Sequence, residues 1–77
     1  MRYRVDLDLT AEQVMAELPT DAARWEITAL IETVWREPET WPPPDGQQLG
    51  EAFGPRCWIV YVAYRDGIEI LDVGWLS

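Results

Sequence analysis

Few residues in this sequence are of the types that carry chemistry. It has no His and one Cys, Cys57, which excludes Ser–His–Asp and Cys–His arrangements and zinc sites of the usual kind. A single Cys cannot form an internal disulfide, and Cys57 lies in a predicted strand, so we interpret it as a small buried hydrophobic residue. Tyr61 is predicted to lie opposite Asp72, which favours a structural hydrogen bond between neighbouring strands over an activated phenol.

The acidic residues do not form a recognisable metal site. Asp6 and Asp8 lie two residues apart on one face of a predicted strand, and Glu37 and Glu39 border a proline-rich loop. Neither spacing matches a calcium or magnesium loop, and the sequence has no glycine-rich phosphate loop. We therefore expect no metal, no cofactor and an acidic surface that is exposed to water.

The charge and length of the chain narrow its functional class. The net charge is −8, with 14 acidic residues, six Arg and no Lys. This balance argues against a surface for nucleic acids, whose phosphates are bound by clustered positive charge, and against binding to an anionic membrane. No apolar run approaches the roughly 20 residues of a membrane-spanning helix, and the first residues show no signal-peptide pattern. We expect one cytoplasmic domain over residues 1–77.

The stretch Cys57–Trp75 is predicted to form a central β-hairpin. Asp66 and Gly67 lie between two runs rich in β-branched and aromatic residues. Asp-Gly is typical of a two-residue type I′ turn, in which both central residues have positive φ. Such a turn would set the register so that Trp58 lies opposite Trp75.

Alternation along this hairpin places apolar side chains on both of its faces. The face expected to pack on the helices carries Cys57, Ile59, Tyr61, Ala63 and Ile70. The opposite face has Glu69 as its only charged residue. Its other side chains are those of Trp58, Val60, Val62, Tyr64, Leu71, Val73 and Trp75. A strand that is apolar on both sides is normally covered twice. We therefore expect the second face to bind a protein partner, unless the proline loop folds back and Trp41 covers it within the chain.

The first part of the chain predicts a strand and a helix. Side chains alternate between apolar and charged from Arg2 to Leu9, as in a half-buried strand. A helix is expected from Ala11 to Leu18, because Thr10 and Gln13 have the spacing of a capping box and Pro19 would end the helix.

A second helix is expected from Asp21 to Arg36, capped by Thr20 or Asp21 and joined to the first as a tight hairpin. Its spacing of apolar residues predicts a buried stripe, formed by Ala23, Ile27, Leu30, Ile31 and Val34.

The proline-rich segment Glu37–Gly46 is expected to be a loop in largely polyproline conformation. We interpret it as a stiff connector anchored by Trp41, with a proline-rich ligand as the alternative. Gln47–Phe53 can form a short strand with Leu49 and Phe53 as its apolar contacts. The elements together predict an α+β fold: an N-terminal strand, a two-helix hairpin on one face, and then an antiparallel sheet of three strands.

This order of elements resembles the RelE/ParE family of bacterial toxins from toxin–antitoxin systems. Residues 3–19, YRVDLDLTAEQVMAELP, resemble the opening strand and first helix of the family. The Leu49-Gly50 segment, IVY at 59–61 and DVG at 72–74 resemble a Leu-Gly segment, a Val-Ile-Tyr strand and a terminal Val-Gly. The likeness covers nearly the whole chain and implies a RelE-like fold.

The resemblance does not extend to the residues that cleave RNA. In ribosome-dependent members an Arg stands three residues before the strand Tyr, where this chain has Trp58. A second Arg follows the terminal Val-Gly, where this chain has Trp75 and Leu76, and the late Tyr or His of some members would lie beyond Ser77. The lysines of the second strand region are missing too. Arg56 would approach the first Arg position only if the strand bulged, and it is the candidate for a residual nucleic-acid contact. Without a placed cation, the transition state would lose its main electrostatic stabilisation.

We therefore expect a diverged RelE/ParE-like protein that acts through protein–protein binding and lacks ribonuclease activity. The expected partner is an antitoxin-like segment or a second copy of the chain, bound to the face that the family turns away from its helices. Two alternatives stay open. One is an active messenger-RNA interferase with displaced catalytic residues, and the other is a small acidic inhibitor or immunity-type protein that blocks a basic partner.

Overall fold

Two α-helices pack on one face of a four-stranded sheet in the computed structural model, which describes residues 2–76. The described elements are, in order, β1 (Arg4–Leu7), α1 (Leu9–Ala16), α2 (Asp21–Trp35), a 3₁₀ turn (Pro38–Thr40), β2 (Gly50–Phe53), β3 (Cys57–Tyr64) and β4 (Gly67–Trp75). The predicted α+β class is confirmed.

The sheet is mixed, with strand order β1-β4-β3-β2. Strands β2, β3 and β4 pair antiparallel in sequence order, whereas β1 pairs parallel to β4. The expectation of an antiparallel sheet is therefore wrong at β1, which runs in the same direction as its neighbour β4. Both helices, β2 and β3 lie between these two strands in the chain. Both edges of the sheet, β1 and β2, are short strands of four residues.

The start of α2 follows its local sequence signal, whereas the start of α1 does not. Thr20 Oγ1 accepts a hydrogen bond from the Ala23 amide at 3.1 Å, as predicted for the α2 cap. Helix α1 begins at Leu9, so Thr10 lies inside the helix and the expected capping box is wrong. The sheet sets this boundary, because the Asp8 amide donates to the Ile70 carbonyl at 2.8 Å.

The core lies between the helices and one face of the sheet. It includes the predicted sheet residues, and Ile27 and Ile59 are fully enclosed. The buried members of this cluster are Ala11, Leu18, Ala23, Ile27, Ile31, Val34, Cys57, Ile59, Tyr61, Ala63, Ile68, Ile70 and Val73.

Trp41 anchors the proline loop on the helix side of the sheet. Its indole Nε1 donates to the Val34 carbonyl at 2.7 Å, and its ring meets Tyr3 edge to face at 5.0 Å. The loop begins with a 3₁₀ turn rather than continuous polyproline and rejoins the sheet where Asp45 bridges Tyr64. Trp41 thus packs against the helix-side core, as its expected anchoring role requires, and the loop meets the opposite face of the sheet only at Tyr64, whose ring lies against Gly46.

The turn of the β3–β4 hairpin lies one residue earlier than expected. Tyr64 pairs with Gly67, so that Arg65 and Asp66 form the turn. Among residues 2–76 only glycines have positive φ, so Asp66 does not adopt the predicted type I′ conformation. Gly67 does have the expected positive φ, +157°, and a Cβ at this position would also overlap the backbone of Arg4 in β1 and would lie 2.7 Å from its nitrogen.

A β-bulge then changes the faces of β4. Tyr61 pairs with Ile70, but Val60 pairs with Asp72, which leaves Leu71 as an extra residue. Beyond the bulge Ile59 lies opposite Val73, so Val73 turns toward the helices.

Two predicted members of the partner-binding face are therefore misplaced. Val73 is buried in the core, and Trp75, which lies opposite Cys57, packs against it. The predicted pair of Tyr61 and Asp72 does not form either. The bulge favours the core, because it buries two apolar side chains and turns Asp72 outward.

Candidate interaction surface

The face of the sheet that is turned away from the helices is the strongest candidate for a functional site. We call it the outer face. Alternation along β3 places four of the predicted residues on it, namely Trp58, Val60, Val62 and Tyr64. Leu71, at the bulge, is half-buried and does not pack against the helix-side core. Four of the seven predicted residues thus share this face, Leu71 marks its bulge, and Val73 and Trp75 lie elsewhere.

Strand β2 adds two large apolar residues that sequence reasoning did not assign to the outer face. Phe53 pairs with Trp58, so the two side chains share a face, and Leu49 precedes β2 in the same alternation. Phe53 is 70% exposed and Leu49 is 63% exposed. Both side chains are therefore more exposed than expected, although Phe53 also lines a cavity with Leu30 and Thr33 of α2. Both residues extend the apolar surface of β3 toward the edge of the sheet.

The spacing of small residues in β2 was a usable signal for this arrangement. Gly50 and Ala52 alternate with Leu49 and Phe53 and face the helices. A Cβ at Gly50 would lie 2.6 Å from Cζ of the Tyr61 ring. The helix side of β2 thus has little room for large side chains, because Tyr61 occupies the space. Large apolar residues of β2 must point outward.

Trp58 lies flat against the sheet because its cross-strand partner is a glycine. It pairs with Gly74 across β3 and β4, and a Cβ at Gly74 would overlap the indole ring. The indole is half-buried. Val62, on the same face, is only 3% exposed. The centre of the outer face is therefore an ordered apolar surface rather than a set of mobile side chains.

A polar corner closes the outer face beside the hairpin turn. The Tyr64 hydroxyl donates to Glu69 at 3.3 Å, and the Arg4 guanidinium lies 5.3 Å from the centre of the Tyr64 ring. Arg4 also pairs with Asp6 and, at 2.8 Å, with Asp66. The hydrogen bond from Arg4 lowers the pKa of Asp66, and burial together with the charge of Glu69 raises the pKa of the Tyr64 hydroxyl.

Carboxylates flank the apolar centre on both sides. Register places Glu51 and Asp72 on either side of Val60, and Glu69 and Asp6 follow one another beyond Val62. Arg4 is the single cation within the four strands. Because Arg4 is already paired with Asp6 and Asp66, the outer face combines an apolar centre with a negative surround.

The described residues hold no cluster suited to binding a metal ion. No group of three or more His, Cys, Asp or Glu residues lies close enough to hold a metal within residues 2–76. Burial raises the pKa of the Cys57 thiol, with the nearby Glu26 carboxylate adding to the effect. The thiolate that a nucleophile requires is thus disfavoured.

Arg56 does not take the place of a strand cation. It is exposed, it precedes β3, and its carbonyl accepts from the Leu76 amide at 2.7 Å. The bulge inserts its extra residue in β4, whereas β3 pairs without interruption from Cys57 to Tyr64. Nothing in β3 shifts Arg56 toward the position held by Trp58.

The comparisons with known proteins add no relative. No family model matches the sequence, and no curated protein matches it closely enough to indicate kinship. Neither helix in the part of the chain described here is long and apolar enough to cross a bilayer.

Proposed function

We propose that this chain is a diverged, noncatalytic RelE/ParE-like module that acts by binding another protein through its outer face. The observation that carries the proposal is the exposure of Phe53 and Leu49 beside the ordered apolar strip of β3. Contiguous apolar surface of this kind usually marks an interaction site on a soluble protein.

The composition of the outer face fits a protein interface. Trp58 lies toward one end of β3 with its ring held against Gly74, so that little conformational entropy would be lost on binding. Large aromatic residues in such positions tend to dominate the binding energy, and Phe53 lies directly beside it. A carboxylate surround supplies the polar rim that interfaces commonly have.

The absence of catalysis in this proposal is supported by both sequence and geometry. The sequence contains no His or Lys, and the positions where the resembling family carries Arg hold Trp58, Trp75 and Leu76. Trp58 lies over Gly74, and Trp75 packs against the core. Neither indole can supply the cation that stabilises charge during phosphate transfer. The likeness in the order of elements supports the kinship part of the proposal.

Site-specific photo-crosslinking tests the binding function. A photoreactive amino acid would replace Val60, at the centre of the outer face, or Thr28, which is exposed on α2. In cells that naturally produce the protein, we expect a discrete protein adduct from position 60 and none from position 28. The adduct should disappear when Phe53→Ser and Leu49→Ser are added. Absence of an adduct from position 60, or equal adducts from both positions, would contradict the proposal.

A further inference from the structure

We infer that the outer face receives a segment of another protein that combines apolar side chains with Arg or Lys, and not a second copy of this chain. This inference rests on the proposed function and names the chemistry of its partner. It follows from the placement of charge around the apolar strip.

The carboxylates lie in two rows that cross the sheet. In one row, Glu51, Val60 and Asp72 are neighbours on β2, β3 and β4, so acidic groups flank the apolar strip on both sides. In the next row, Val62 of β3 is followed by Glu69 of β4 and Asp6 of β1. Neighbouring strands lie about 4.8 Å apart. A segment lying on Val60 and Val62 would therefore have carboxylates within reach of its own charged side chains.

Three of these four carboxylates have no ion pair within residues 2–76, whereas Asp6 pairs with Arg4, and Asp72 Oδ1 accepts a hydrogen bond from the Val73 amide at 2.9 Å. Within residues 2–76 the salt bridges of Arg4, Arg24 and Arg36 do not involve Glu51, Glu69 or Asp72. Glu69 accepts a hydrogen bond from the Tyr64 hydroxyl, which leaves its charge uncompensated. A cation brought by the partner would thus meet Glu51, Glu69 and Asp72 without a competing ion pair within residues 2–76.

A second copy of the chain fits this surface poorly. A symmetric face-to-face dimer would place the same acidic rows against each other, and like charges at such positions are destabilising. Each chain also carries a net charge of −8, so two copies repel each other at long range. A basic segment is favoured both at long range and in contact. The negative net charge of the chain would attract it, and the carboxylates of the outer face would pair with its Arg or Lys side chains.

Peptide binding tests the inference with defined probes. The probes are a labelled 12-residue peptide of alternating Leu and Lys and its counterpart of alternating Leu and Glu. Binding to the full chain is measured by fluorescence anisotropy at about 0.15 M salt, where screening acts over about 8 Å. The test variant is Glu51→Gln with Asp72→Asn on the outer face. The matched control is Glu12→Gln with Glu17→Gln, which changes net charge equally at exposed positions in and after α1.

We expect the Leu/Lys peptide to bind and the Leu/Glu peptide not to bind. The outer-face variant should raise Kd by about fivefold or more, within the range for two exposed ion pairs, while the control should change it less than about twofold. Equal binding of both peptides, or equal loss in both variants, would overturn the inference and leave the protein-binding proposal standing.

Sedimentation separates the remaining outcomes. A dimer that Phe53→Ser dissociates, with no peptide bound, would identify a second copy as the occupant and overturn the inference alone. A monomer that binds neither peptide and gives no adduct from position 60 would overturn both the inference and the proposed function.

Discussion

At the scale of single residues, two glycines set how closely other groups approach the central hairpin. A Cβ at Gly67 would overlap the backbone of Arg4, where β1 joins the sheet, and a Cβ at Gly74 would overlap the indole of Trp58. The first contact is with backbone, which cannot move without breaking the parallel pairing of β1 and β4. The second is with a side chain, which can rotate away. The two positions therefore differ in what a substitution would disturb.

Gly67→Val should destabilise the protein by about 1–3 kcal/mol, because the new side chain has no space against the Arg4 backbone. Thermal unfolding followed by circular dichroism measures this loss. Arg65→Val is the matched control, since Arg65 is exposed in the same turn and should tolerate the change. An unchanged melting temperature in Gly67→Val would show that β1 does not pack on β4 at this point.

Stability should decline in alkaline solution. Burial raises the pKa of Tyr61 above 10.0 and that of Cys57 above 9.0 in the folded state. Both groups therefore hold their protons more tightly when folded, and their contribution is complete below the unfolded values and is lost as pH rises through the folded ones. The free energy of unfolding should be steady near pH 8 and fall above about pH 9.

Denaturant titrations from pH 7 to pH 11 measure this decline. Tyr61→Phe keeps the ring over Gly50 but removes the ionising hydroxyl, so its stability should fall less steeply than that of the unsubstituted protein. Cys57→Ala should remove the part of the decline that begins first. Identical pH profiles for the unsubstituted protein and Tyr61→Phe would refute the assignment.

At the scale of elements, the bulge in β4 decides which residues belong to the outer face. Alternation within β3 alone placed Trp58 and Val60 correctly, because a strand without interruption has a rigid period of two. The same alternation failed across the hairpin at Val73 and Trp75. In β4 the apolar residues lie at even positions up to Ile70 and at odd positions from Leu71 onward. This change of phase coincides with the bulge, and a strict alternation carried across the hairpin ignores it.

The predictable elements were those whose ends are marked locally. Helix α2 has its cap at Thr20 and a proline after its last turn, and both signals depend only on neighbouring residues. The start of α1 at Leu9 depends instead on how far β1 pairs with β4. Leu49 and Phe53 were assigned wrongly because apolar residues of a short strand are usually buried. Here Tyr61 fills the helix side of that strand.

Cysteine labelling can test the bulge directly. In a Cys57→Ala background, Asp72→Cys should react with a thiol reagent at a rate close to that of the unfolded chain. Val73→Cys should react at least about tenfold more slowly, because Val73 is only 3% exposed and labelling requires local opening. Faster labelling at position 73 than at position 72 would contradict the bulge and support the register of β4 without it.

At the scale of the whole molecule, the helices cover only one side of the sheet. The single layer of helices gives the chain one core, and on the outer face Leu49 and Phe53 are exposed, while the proline loop meets this face at Tyr64, whose ring lies against Gly46. The negative surround of that face disfavours nucleic acid. The proposed binding and the expected lack of RNA cleavage thus both depend on the residues of β3.

We expect no cleavage of ribosome-bound messenger RNA by this protein. Primer extension on messenger RNA from a translating extract supplied with purified protein measures it. Arg56→Ala should make no difference, since Arg56 lies outside β3, and Arg36→Ala is a control at another exposed Arg. Strong cleavage that is lost in Arg56→Ala alone would mean that Arg56 supplies the missing cation and that the chain is an active interferase.

Substitutions of Trp58 and Trp75, which the sequence predicts on one face, should have different effects. Trp58 lies on the outer face, so Trp58→Ala should weaken association with the protein captured from position 60 by about 2 kcal/mol or more, the loss typical of an interface hot spot. Trp75 packs against the core, so Trp75→Ala should instead lower the free energy of unfolding by about 3 kcal/mol. Urea unfolding and binding titrations on both variants separate the two effects. If Trp75→Ala weakened association as much as Trp58→Ala while leaving stability unchanged, Trp75 would lie at the interface, and the bulged register would be wrong.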